Sequence, residues 1–217
     1  MGPLQSQPAE NSADNLNGLP FAHLNLRFNP FGELTRDERA RLAVVDLERL
    51  VTYLGEKGQA IQFLAPSGSG KSTHLLALYS QFSDARYVQF YPDARPSLMV
   101  GALSFFDSFD VLTARQRKRY YQRTESLACT THVDLSRELR DAGFTVKTVK
   151  VGGYEPSQVK TMFERRLTYA QRHLDQPIPT LNEETIAHLV KRYGANIRAM
   201  EDHLYDVFQV LKEVTHV

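Results

Sequence analysis

The nine residues APSGSGKST, 65–73, place two glycines before a lysine and two hydroxyls, an order suited to holding a polyphosphate. A triphosphate packs several negative charges into a small volume and needs many donors aimed at it together. Gly68 and Gly70 admit backbone conformations closed to other residues, so consecutive N–H groups can converge, and a helix starting behind them adds its positive end. In such a loop Lys71 reaches the β- and γ-phosphates, the Ser72 hydroxyl ligates Mg2+, and Thr73 donates to the α-phosphate. Pro66, Ser67 and Ser69 complete the expected binding loop. The expected ligands are therefore a nucleoside triphosphate and Mg2+. Ala65 stands where the usual pattern has glycine; it closes a strand, where a methyl group is the smallest addition.

The loop works only if a strand delivers it and a helix receives it. AIQFLA, 60–65, is an apolar run that suits a buried strand, and Leu75, Leu78, Tyr79 and Phe82 recur at helical spacing behind the loop. Upstream, Thr35 and Glu38 form a capping-box pattern. One helix is expected to follow through Ala43, Leu47, Leu50, Val51 and Leu54, stopped by Gly55 and Gly58. Downstream, ARYVQFY (85–91), VGALSFFD (100–107), SLACTTH (126–132) and FTVKTVKV (144–151) read as strands, and 113–124 and 135–142 as helices. Strands alternating with helices predict an α/β fold with a parallel sheet.

Beyond Gly152 and Gly153 the pattern is purely helical. Val159, Met162, Phe163, Leu167, Ala170 and Leu174 mark one helix. Thr180 with Glu183 reads as the capping box of a second, and Ile197, Met200, Leu204, Val207, Leu211 and Val214 mark a third. These stripes are read as core. The expected division is a disordered leader at 1–24, a nucleotide-binding core at 25–152 and a helical region at 153–217.

With 217 residues, 42% of them hydrophobic and 24% charged, and a net charge of +1, the chain suits one globular core and selects no partner by charge. The polar start, 1–20, has no apolar stretch of signal-peptide type, and no run approaches the ~20 apolar residues that span a bilayer. A cytoplasmic protein without membrane contact is expected. Cys129 is the single cysteine, so no disulfide forms within the chain.

Four segments in sequence order, APSGSGKST, LSFFD, LACTTH and YGANIRAMEDHLYD, resemble the P-loop NTPases and, within them, the AAA+ and related ATPases, over most of the chain after Leu24. The resemblance implies a five-stranded parallel sheet flanked by helices and followed by a small all-helical lid. It implies that Asp107, the last residue of LSFFD, shares the Mg2+ shell with Ser72. LACTTH is similar to a sensor-1 strand and TTH to the switch histidine of ABC-type ATPases, so Thr131 and His132 are expected at the γ-phosphate or the attacking water. Arg198 matches the lid arginine that reaches the γ-phosphate; the alternative is a pair with Glu201 or Asp202 on its own helix. FNPFG, 28–32, resembles the segment that lies near the adenine ring.

One position departs from that pattern. Hydrolysis needs a carboxylate to orient and deprotonate water, and AAA+ proteins carry a Glu directly after the strand-ending Asp. Ser108 stands there instead. Asp110 in DSFD and Asp93 beyond the second strand are the two substitutes. TARQRKRYYQR, 113–123, gathers five basic residues with Tyr120 and Tyr121 and reads either as a nucleic-acid contact or as a solvated helix face. Arg115, Arg117, Arg165 and Arg166 are candidates for an arginine acting on a second copy of the chain. The favoured function is an ATPase, slow or stimulated by a protein partner. The alternatives are an ATP-binding switch that does not hydrolyse, favoured by Ser108, and a kinase.

Overall fold

In the computed structural model, which describes residues 20–93 and 99–217, the apolar runs lie edge to edge. They form β1 (Gln59–Leu64), β2 (Arg86–Gln89), β3 (Leu103–Asp107), β4 (Ser126–Thr131) and β5 (Thr145–Lys150). All the pairings among these five strands are parallel, in the order β2-β3-β4-β1-β5. β4 is buried along its whole length, as a strand covered on both faces must be, whereas the edge strands β2 and β5 are partly exposed.

The helices are α1 (Arg36–Leu42), α2 (Glu48–Leu54), α3 (Lys71–Tyr79), α4 (Ala114–Tyr121), α5 (Ser136–Asp141), α6 (Pro156–Ala170), α7 (Glu183–Tyr193) and α8 (Ile197–Val210). Alternation along the strands sends Phe105 to one face of the sheet, with Leu54, Leu75 and Leu78 of α2 and α3, and Phe106 to the other, with Tyr120, Tyr121 and Leu139 of α4 and α5. Beyond the sheet, Val159, Phe163, Met200, Leu204 and Phe208 of α6 and α8 build a separate core. Leu24 and Leu26 are buried in that core, so the described part of the expected leader, 20–24, packs against the C-terminal helices. Among the described residues no helix is long and apolar enough to cross a membrane.

Three local expectations are corrected. The helix expected from Thr35 to Leu54 is two helices. Its capping box forms, with Glu38 N donating to Thr35 Oγ1 (3.3 Å) and Thr35 N donating to Glu38 Oε2 (2.8 Å). At Ala43, however, the backbone turns extended and the carbonyl accepts from Arg165 Nη1 (2.6 Å), which breaks the helix. The N-cap of α7 is Asn182, whose Oδ1 accepts from Thr185 N (2.7 Å), while Thr180 joins His216 in an isolated bridge. α6 stops at Ala170, leaving Leu174 85% exposed, and α8 stops at Val210, before Leu211 and Val214.

The strand order has a functional consequence. From β1 the chain crosses to β2, returns through β3 and β4 to β1's side, then places β5 on β1's other edge. The carboxyl ends of the adjacent strands β3, β4 and β1 thus share one rim, at the point where the winding reverses. Open parallel sheets bind ligands at such a point.

Candidate functional site

The glycine-rich loop leaves β1 at Ala65 and enters α3 at Lys71. Gly68 and Gly70 have φ of +79° and +86°, values that strain any other residue. Ser69 Oγ donates to Pro66 O (2.6 Å), and Tyr154 OH donates to Ser69 O (2.8 Å), which pins the loop from the start of the C-terminal helices. Burial pushes the Tyr154 hydroxyl up to about 12, so it remains a donor. His74 Nδ1 lies 3.0 Å from Gly70 O, which places its proton on Nδ1, and burial lowers its pKa. Lys71 Nζ curls back onto Ala65 O (2.8 Å) and Pro66 O (2.7 Å). Burial lowers the Lys71 pKa, and the charges of Asp110 and Asp107 oppose that shift.

Asp107, at the carboxyl end of β3, is only 2% exposed. Its Oδ1 accepts from Ser72 Oγ (3.0 Å) and Thr130 Oγ1 (2.5 Å), and its Oδ2 accepts from Tyr87 OH (2.9 Å). Burial, then the Asp107 charge, pushes the Tyr87 hydroxyl well above its ordinary value, so it too stays a donor. The Ser72 and Asp107 oxygens suit a hard cation. Among the described residues no group of three or more His, Cys, Asp or Glu could cage a metal by itself. One carboxylate and one hydroxyl, with remaining positions left to water and phosphate, is the donor set Mg2+ uses beside a polyphosphate. The residues fit that ion.

After Asp107 the chain makes a strained turn. Ser108 has φ of +58°, and its N–H donates to Thr130 Oγ1 (2.7 Å). A 3-10 turn, Phe109–Val111, follows and brings Asp110 back toward β4. Asp110 Oδ2 accepts from both the backbone N–H (3.0 Å) and Nδ1 (2.9 Å) of His132. Asp110 Oδ1 is buried without a hydrogen-bond partner among the described residues. The His132 loop is held by Gln62, which donates from Nε2 to Asp134 Oδ1 (2.7 Å) and accepts from Leu135 N (2.9 Å).

These groups meet at a polar cavity of about 220 Å3 lined by Ser67–Thr73 with Gln89, Ser108, Thr130, His132 and Arg198. Arg198 stands at the start of α8, where its backbone N–H donates to Gly68 O (3.2 Å). Its guanidinium makes no hydrogen bond or ion pair among the described residues, and its charge is near enough to lower the Lys71 pKa. Glu201, the partner considered for it from spacing, binds Arg166 Nη1 instead (2.5 Å). A second, largely apolar cavity of about 80 Å3 adjoins the first, lined by Leu34, Leu42, Ala43, Val44, Val45 and Met162. The two share Arg39, Gly70, Thr73, Ile197 and Glu201.

Several expected residues lie elsewhere. Thr131 is buried, with Oγ1 donating to Val133 O (2.6 Å) and accepting from Val133 N (3.1 Å); its neighbour Thr130 takes the place beside Asp107. Adjacent strand residues face opposite sides, so only one of the two can do so. Asp93 sits on an exposed turn beyond β2 and lines neither cavity. FNPFG packs away from both cavities: Phe31 meets Phe163 and Phe208 edge-on, and Arg166 donates to Pro30 O (2.7 Å) and Gly32 O (2.6 Å). The residues that line the apolar cavity instead, 42–45, sit at the break between α1 and α2, which helical periodicity concealed.

The basic helix is half internal. Arg117, Tyr120 and Tyr121 are buried, with Arg117 held by Glu138 through Nε to Oε1 (2.9 Å) and Nη2 to Oε2 (2.6 Å). Arg117 and Arg166 therefore cannot reach a second copy, and Arg165 is bound to Ala43 O; Arg115 stays exposed. The sequence matches no protein-family model, and no curated protein matches it.

Proposed function

We propose that the chain is a P-loop ATPase of AAA+-like build, which binds ATP with Mg2+ in the paired cavities and hydrolyses it slowly or under stimulation by a macromolecular partner. The observation that carries this reading is the Ser72–Asp107 hydrogen bond of 3.0 Å at the mouth of a glycine-rich loop whose cavity also receives Lys71 and Arg198. Two cations answer the phosphate charge, loop N–H groups supply neutral donors, and the apolar cavity suits the base. Mg2+ held by Ser72 Oγ and Asp107 would neutralise phosphate charge. The lid role belongs to α6, α7 and α8, with α8 joined to the loop through Arg198 N and Gly68 O.

Without a carboxylate at 108, the pair Asp110 and His132 is the base we assign. Nδ1–H donated to Asp110 fixes the imidazole and leaves Nε2 as its basic atom; the ring lines the cavity and is 46% exposed. In this step a water oxygen bonds to the γ-phosphorus and its proton passes to Nε2. The bond to the β,γ-bridging oxygen breaks, with its electrons leaving on ADP. Incubation with Mg2+ and base-labelled ATP, followed by chromatography of the bound nucleotide, tests the proposal. ADP from the wild type, intact bound ATP from His132→Ala and no bound nucleotide from Lys71→Ala are expected. Undiminished affinity in Lys71→Ala overturns the site.

Ser108 favours a second reading, a switch that binds ATP without cleaving it, because its hydroxyl cannot accept the water proton at neutral pH. Intact ATP on the wild-type protein, with or without partner, would select it.

A further inference from the structure

We propose that Glu201 reads the sugar of the bound nucleotide, making the site selective for a ribonucleoside triphosphate over one lacking the ribose diol. This rests on the nucleotide reading above and deepens it.

A ligand filling both cavities has its charged end at the loop and its apolar end between 42–45 and Met162. Its middle must cross the wall that the cavities share: Arg39, Gly70, Thr73, Ile197 and Glu201. In a nucleotide the middle is the sugar. Glu201 is the one carboxylate among the residues lining that wall. It is poorly suited to touching phosphates, which it repels, and well suited to accepting hydrogen bonds from two neighbouring hydroxyls.

Its orientation is set before a ligand arrives. Oε1 is taken by Arg166 Nη1 (2.5 Å), and the same guanidinium is anchored by Nε to Pro30 O (2.7 Å) and Nη2 to Gly32 O (2.6 Å). The FNPFG turn thus acts on the cavity through Arg166, although it lines neither part. Oε2 has no hydrogen-bond partner among the described residues, and Glu201 keeps contact with both cavities. Burial raises the Glu201 pKa, while the Arg166 and Arg39 charges hold it down. A carboxylate fixed by one oxygen and open at the other is preorganised for a donor.

The test compares ATP with 2′,3′-dideoxy-ATP by equilibrium titration of the full chain, with Mg2+ constant, for the wild type and Glu201→Gln. Hydrogen bonds to a charged acceptor predict that the wild type binds ATP about tenfold or more tightly than the dideoxy analogue. In Glu201→Gln the gap should narrow to within about threefold. Equal wild-type affinities for both ligands overturn the proposal while leaving the nucleotide site intact, as does a gap unchanged in Glu201→Gln. If neither ligand binds, the nucleotide reading fails and this proposal fails with it. Should Glu201→Gln not fold, the wild-type comparison alone decides, since it alters only the ligand.

Discussion

Ser72 and Asp107 lie 35 positions apart in sequence and meet through a 3.0 Å hydrogen bond that ties the first turn of α3 to the carboxyl end of β3. Thr130 and Tyr87 complete the ring of hydroxyl donors around that carboxylate. Asp107 is thus satisfied inside the protein by three neutral hydroxyl donors.

Asp107→Asn follows directly from that arrangement. An amide nitrogen must face one of three hydroxyls now donating to oxygen, and the negative charge disappears. We expect a stability loss of about 1–3 kcal/mol and nucleotide affinity that no longer changes between Mg2+ and a chelator. Titration under both conditions checks it; a Mg2+ dependence as large as that of the wild type would remove Asp107 from the ion's shell.

Gly68 joins the loop to the start of α8 by contact as well as by hydrogen bond. A Cβ there would fall 2.0 Å from Asn196 Oδ1, the atom that caps α8 by accepting from Ala199 N. Gly68→Ala should therefore cost about 1–3 kcal/mol and at least tenfold in nucleotide affinity, combining backbone strain with displacement of the cap. Adding Asn196→Gly removes the clash at a small capping cost and should recover part of the stability in denaturant unfolding. Strictly additive losses would show that the contact does not matter.

Much of the sheet was legible because its central strands β1, β3 and β4 lie in short apolar stretches and helices separate most of the strands in sequence. The loop was legible because its residues act locally. What escaped was the choice among equals. Thr130 and Thr131 carry the same hydroxyl, and only the strand's register with Asp107 selects the first. Arg117, Tyr120 and Tyr121 look like part of one basic surface until α4 lies on the sheet and turns them inward. Glu201 is well spaced to pair with Arg198, yet Arg166 on α6 reaches it first, and that preference arises from packing between helices. Asp110 and His132 were both legible as candidates, but their bond depends on the turn at Ser108.

Arg117 illustrates the cost of mistaking such a residue for a surface charge. Its guanidinium is bonded in parallel to Glu138, which also accepts from Tyr121 OH (2.9 Å). Arg117→Met should destabilise the protein by about 2–4 kcal/mol, because Glu138 loses its cation in a half-buried place. Removing exposed Arg115, Lys118 and Arg119 together should change stability by only about 0.5 kcal/mol per site. If DNA binds this helix, that triple variant flattens the salt dependence of binding. Unfolding curves and a salt titration separate the two roles; equal destabilisation by both variants would contradict the internal placement of Arg117.

α1 buries none of its residues and is held by polar contacts, chiefly Tyr169 OH donating to Glu38 Oε1 (2.6 Å) and Arg165 donating to Ala43 O (2.6 Å). The bonds from Tyr169 and then Thr35 hold the Glu38 carboxyl down from 4.5 to about 2. For an acid whose folded pKa is depressed, the stabilisation is full above the unfolded value and is lost as pH falls through the folded one. Tyr169→Phe should therefore loosen α1 at pH 7, read as faster hydrogen exchange over 36–42, and the difference from wild type should shrink as pH descends from about 5 toward 2. Because Arg39 and 42–45 line the cavities, the same variant should weaken nucleotide binding at neutral pH. A difference in exchange that stays constant across that range would show that Glu38 is not what fastens the helix.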